Sequence, residues 1–225
     1  MKLRIKFSKH GCMKFIGHLD VMRYFQKAIR RAGIDIAYSE GFSPHQIMSF
    51  AAPLGVGLES DGEYLDIQVN AAESSEVMVR KLNQVMVEGM QVKSVRLLRE
   101  NSKNAMSIVA AADYLLRFGQ GFPEGFSRFL DRKEIPVSKK TKKRETVMDI
   151  RPLIYEYRIE SEGVFLKLAA GSVDNLKPEL VMDAFFRDRG LEWNSSSCQI
   201  CRLELYARTK EGELATLESL GDVME

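Results

Sequence analysis

The sequence predicts an α+β protein, a tandem of two ferredoxin-like (βαββαβ) halves with antiparallel sheets. Three observations carry that expectation. Apolar residues alternate at Leu3, Ile5 and Phe7, which is the period of a half-buried strand. Leu19, Met22, Phe25 and Ile29 then recur at helical spacing. The same succession of patterns returns, with an inserted hairpin, in the second half of the chain.

In the first half, Lys2, Arg4 and Lys6 fill the polar phase of the opening strand. The helix over residues 18–32 has Asp20 in its first turn and Gly33 as a left-handed stop. A short strand is predicted at residues 35–39. A long loop rich in glycine and proline follows, then a strand on Tyr64, Leu65, Ile67 and Val69. Ser74 or Ser75 caps a second helix built on Met78, Leu82, Val85 and Met86 and stopped by Gly89. Val92, Val95 and Leu97 supply the closing strand. This order is that of the split βαβ unit.

The second half reads βα(β)ββαβ. Tyr114, Leu116 and Phe118 alternate, and a helix is predicted at residues 125–132. The runs VMDIRPLIYEYRIE and VFLKLAAG are strand-like, and Pro178 suits the first turn of a helix that buries Leu180, Val181, Ala184 and Phe185. ICRLELYAR ends the pattern as a last strand. The expected domains are residues 1–100, with the glycine-rich loop, and residues 105–225, with a basic hairpin insertion. Each is expected to form its own four-stranded sheet with two helices on one face. The acidic tail after Arg208 is expected to fray.

A chain of 225 residues with 45% hydrophobic and 28% charged content is long enough to bury a core. Its net charge of +2 implies no polyanion partner by itself, so such a case must rest on clustering. Three cysteines (Cys12, Cys198 and Cys201) argue against a disulfide scaffold. No apolar run has the length of a membrane span, and none precedes a small-residue cleavage site. The expectation is a reduced, cytoplasmic protein with no membrane partner.

Special backbone and titratable groups concentrate between Phe7 and Gly57. Arg23, Lys27, Arg30 and Arg31 lie opposite the apolar face of the first helix. They are either a solvated face or a phosphate-facing stripe. The segment SEGFSPHQIMSFAAPLGVG brings Ser39, Gly41, Phe42, Pro44, His45 and Gly55 into one loop, whose glycines would let backbone amides approach an anion. That loop is expected to converge with His18 and Arg23, with Gly55 required by a positive φ or a close approach. It matches neither the phosphate loop of nucleotide triphosphatases nor the dinucleotide fingerprint, so no cofactor is expected. His10, Cys12, His18 and His45 are legitimate metal ligands, but their spacing fits no structural zinc pattern, and Cys198 and Cys201 supply only one pair.

The densest positive run holds Lys139, Lys140, Lys142, Lys143 and Arg144. It is either a solvated turn or an arm that grips a polyanion. Just beyond it, Asp149 and Arg151 share one side of a strand, where they can pair or face a ligand.

KFIGHLDVMRYFQKAIRRAG, YSEGFSPHQIMSFAAPLGVG and DIRP closely resemble a bacterial family of unknown function, the radical-SAM-associated proteins. Members occur alone or joined to the C-terminal side of radical S-adenosylmethionine proteins. The match is strong to about Leu98 and looser through DIRP. The chain has no cysteine triad for a cluster, so no radical chemistry is assigned to it. The resemblance implies an adaptor or substrate-handling module.

Three functions remain open. The leading expectation is a non-catalytic RNA-binding module, in which the first helix, the loop and the basic hairpin form one positive groove. The alternative is an interaction partner of a separately encoded radical SAM enzyme. The third is an RNA-processing nuclease using His18 or His45.

Overall fold

The structure, a computed structural model, describes residues 1–119, 124–140, 145–161 and 163–225, without the side chains at 139, 140, 145 and 146. Two compact units result: Met1–Ala110 with Arg202–Glu225, and Ala111–Cys201. The sequence placed everything after residue 105 in the second half. By contacts, the last 24 residues sit with the first unit.

In the first unit, β1 (Lys2–Lys9), α1 (His18–Arg31), β2 (Met48–Phe50), β3 (Glu59–Gln68), α2 (Ser75–Asn83) and β4 (Met90–Leu98) follow the predicted βαββαβ order. β4, β1 and β3 are neighbours, with β2 also paired to β3, and every pairing is antiparallel. Leu3, Ile5 and Phe7 face one core with Phe25, Ile29, Leu65, Ile67, Met78 and Leu82, so both helices cover the same face. Ser74 caps α2, its hydroxyl accepting from the Val77 N–H at 3.3 Å. The register between β1 and β4 shifts at Lys6/Phe7, which lets Val92 and Val95 both point inward despite their odd spacing.

Two local expectations are corrected. The inward stripe of α1 is Val21, Phe25, Ala28 and Ile29, with Met22 at its flank, while Leu19 is 60% exposed. Residues 35–39 form isolated bridges, Ile36 to Val69 and Tyr38 to Gln46, and the true second strand is β2, further along the chain. Ile36 and Ala37 are buried, and Ala37 donates to the Gln68 carbonyl and accepts from the Ile47 N–H, so the apolar signal marks an extended, packed segment that stops short of a continuous strand.

A short helix α3 (Ala105–Ile108) leads to β5 (Val109–Phe118), the first strand of the second unit. There, α4 (Phe126–Leu130), a separate ribbon of β6 (Pro136–Lys140) and β7 (Glu145–Asp149), β8 (Ile154–Glu160), β9 (Gly163–Ala169) and α5 (Pro178–Asp188) precede β10 (Cys198–Arg208). The strand order β10-β5-β9-β8 is again the ferredoxin-like one. Phe126 and Phe129 pack edge-on to Phe185 of α5, with centroids 4.9 and 5.5 Å apart. Pro178 opens α5 as predicted.

β10 is eleven residues long and carries residues of both units, with β3 and β5 as its neighbours. The last strand is thus divided between the two units, where the sequence reading gave all of it to the second half. The tail is anchored as well. β11 (Leu214–Thr216) pairs with β10, Asp222 exchanges backbone hydrogen bonds with Leu97, and the Met224 N–H donates to the Ser75 hydroxyl. No helix among the described residues is long and apolar enough to cross a membrane.

Candidate functional site

The core-facing rows of β1 and β3 both end in charge. Leu3, Ile5 and Phe7 are followed in phase by Lys9, and Ile67 and Leu65 by Glu63, which sits directly opposite Phe7. Lys9 and Glu63 line a small cleft with Phe7, His18, Val21, Phe50, Pro53 and Leu54. The cleft thus joins the end of β1, the first turn of α1 and the segment that follows β2, all within the first unit.

Glu63 is held from outside the cleft. Arg202 of β10 donates through Nε to one carboxylate oxygen at 2.8 Å and through Nη2 to the other at 2.6 Å. The same Nη2 donates to the Ala52 carbonyl, tying the post-β2 segment in place. Gly62 makes this possible, because a Cβ there would stand 2.4 Å from the Leu203 carbonyl oxygen and push the strands apart.

Lys9 is only 3% exposed, yet it makes no hydrogen bond or salt bridge among the described residues. Burial pushes its ammonium below the ordinary lysine value; Glu63 opposes that shift and the Arg202 charge adds to it. His18 presents its ring edge-on to Phe50 with centroids 5.1 Å apart and makes no hydrogen bond among the described residues. Its helix starts at Gly17, which offers no side-chain cap.

The predicted residues do not all meet here. His18 and the loop converge, but through Phe50, Pro53 and Leu54. His45 is pinned elsewhere, its Nδ1 2.9 Å from the Ser39 hydroxyl. Arg23 reaches the exposed Asp20 at 3.3 Å. His18, His45 and Arg23 therefore take separate partners, and the anion site expected from all three is not formed. Gly41, Phe42 and Pro44 are exposed in the stretch between Ser39 and His45. Gly41 and Gly57 have positive φ, whereas Gly55 does not, and a Cβ at Gly55 would meet only Leu58 at an ordinary 3.6 Å. The reason given for Gly55 is corrected accordingly.

Lys27, Arg30 and Arg31 are exposed on α1 and make no hydrogen bond or salt bridge among the described residues. His10 lies against Asp61 at 3.0 Å and Glu59 at 3.5 Å, while Cys12 is exposed. No group of three or more His, Cys, Asp or Glu able to hold a metal occurs among the described residues. Cys198 is half-buried and its thiol is pushed up to about 12, by burial and then by Glu179. Lys139 and Lys140 lie on β6 with undescribed side chains, and Lys142, Lys143 and Arg144 lie outside the described residues. Asp149 and Arg151 form a turn: the Asp149 carboxylate accepts from the Ile135 and Arg151 N–H groups, and the Arg151 guanidinium donates to the Ile154 carbonyl. Of the two roles the sequence left open, these contacts fit pairing, through the Arg151 N–H, while Asp149 stays exposed.

Sequence reasoning passed over Lys9, Glu63 and Arg202. The signal for the first two was present, as charged residues in the core-facing phase of strands.

Fold and cleft together describe an α+β protein of ferredoxin-like pattern with an internal charged cleft. The chain belongs to the family described as "Uncharacterized protein conserved in bacteria (DUF2344)", whose model matches residues 2–178. No curated protein matches the chain. Among solved structures, a chain of the "Crystal Structure of a Cbf5-Nop10-Gar1 Complex" is similar over 90% of this chain, at 10% identity and a TM-score of 0.48. The match spans about half of that chain (48%), and a likeness of this size carries no argument about function.

Proposed function

We propose that the protein is an RNA-binding module that grips phosphates through the exposed face of α1 and has no catalytic step of its own. One observation carries this reading: Lys27, Arg30 and Arg31 are exposed on one helix and none is neutralised among the described residues. Such charges attract a polyanion without reading its sequence. The direct test is fluorescence anisotropy with a labelled single-stranded RNA across a salt series. Affinity should fall with salt, and Lys27→Glu and Arg30→Glu should each weaken binding and flatten the slope by about 0.7, the single-strand value per phosphate contact. Absence of binding at low salt overturns the reading.

The resemblance to radical-SAM-associated proteins supports a second reading, in which the same face docks an acidic surface of a separately encoded radical SAM enzyme. Unchanged RNA binding in these variants, with lost association to such an enzyme, would favour the adaptor.

A further inference from the structure

The charges around the cleft do not cancel. Arg202 binds both oxygens of Glu63, so that carboxylate is already matched. Lys9 adds a second largely buried cation, which Glu63 attracts but which makes no hydrogen bond or ion pair among the described residues. An ammonium in such surroundings is costly unless an anion or water completes it. Two further features favour an anion over a second cation. The cleft meets the first turn of α1, the positive end of a helix that has no side-chain cap. His18, on that same turn, has ring nitrogens with no hydrogen bond among the described residues.

Size and walls narrow the ligand further. The cleft itself offers only about 20 Å³, room for one water-sized group. That admits the oxygen of a flat carboxylate more readily than a phosphate with its several oxygens. Phe7, Val21 and Phe50 are apolar walls, and Pro53 and Leu54 lie toward the solvent. A ligand with a carboxylate head and an apolar body would satisfy both ends.

We propose that this cleft is a carboxylate-binding site in which Lys9 and His18 hold the head of an apolar-bodied acid, with Pro53 and Leu54 supporting its body. It is separate from the basic face of α1, since Lys27, Arg30 and Arg31 do not line it. The groups facing Lys9 are Glu63 from β3, Arg202 from β10 and His18 from α1, so binding should weaken at alkaline pH as Lys9 loses its proton.

Benzoate is the probe, titrated by NMR into the full chain beside benzyl alcohol and phenyl phosphate. Benzoate should saturate at about millimolar concentration, the range of a weak small ligand. Lys9→Met should weaken it at least about tenfold, the scale of one lost charge-assisted hydrogen bond. His18→Leu should weaken it less and leave Lys9 responsive to benzoate. Equal binding by Lys9→Met, or no saturation at all, overturns the site. Benzyl alcohol bound as well as benzoate would reduce it to an apolar crevice. Tighter binding of phenyl phosphate would overturn the carboxylate assignment.

Discussion

Strand β1 buries two cations on its opposite faces and treats them differently. Arg4 is 1% exposed and fully matched: Nε and Nη2 donate to the two Asp66 oxygens at 2.8 and 2.9 Å, and Nη1 donates to the Leu217 carbonyl. Asp66 is completed in turn by the Ala105 N–H at 2.7 Å. Beside it, Lys6 is gripped by Glu204 and Glu218; burial alone would lower its pKa, but those carboxylates outweigh burial and hold it above the usual lysine value. Lys9, at the end of the same strand on the helix-covered face, has none of this. A buried charge with every partner in place describes a structural layer, whereas one left without a partner describes a place for something else.

Substitutions can break that comparison, and the largest effect belongs to the matched face. Asp66→Ala strands Arg4 and should cost about 3–5 kcal/mol in chemical denaturation, the usual penalty for leaving a buried charge alone. A loss below about 1 kcal/mol would mean that Arg4 finds water instead.

The unmatched face should respond in the opposite sense. Lys9→Met removes an unpaired cation in favour of a side chain of similar volume, and should stabilise the fold by about 1–2 kcal/mol. The pH dependence sharpens this. The folded-state pKa of Lys9 lies below its unfolded value, so between the two the unfolded chain holds more protons. Wild-type stability should therefore rise with pH through that window up to about 10.5, and Lys9→Met should lose that rise. A destabilised Lys9→Met would place Lys9 with the structural layer.

The smallest effects on stability belong to α1. Arg30→Glu should shift it by no more than about 0.5 kcal/mol, as an exposed substitution away from any packed contact, while RNA affinity falls. Gly55→Val should also be mild, below about 1 kcal/mol, because the site has open space and ordinary φ.

The fold was legible wherever local pattern decides it. Leu3, Ile5 and Phe7, the Ser74 cap and Pro178 all sit where their chemistry pointed. Leu19 misled because helical spacing alone cannot choose between two overlapping stripes, and Val21 won through its contact with the sheet. The place of β10 and the anchoring of the tail rest on contacts far apart in sequence, such as Arg4 with Leu217, which no local window contains. The site was half legible. The GHLD and SFAAPLG segments do meet, as His18 against Phe50, Pro53 and Leu54. Attention to histidine and glycine hid the more telling residues, a lysine and a glutamate on the apolar phase of their strands.

The claim that Lys9 is held ready for an anion is tested most directly by following its own titration. NMR of the lysine Cε resonances, with Lys9→Met to assign the signal, reads the midpoint in the free protein and with saturating benzoate. Lys9 should titrate below the ordinary 10.5 when free and move upward when benzoate is bound. A midpoint among the exposed lysines that does not move with benzoate would contradict the account.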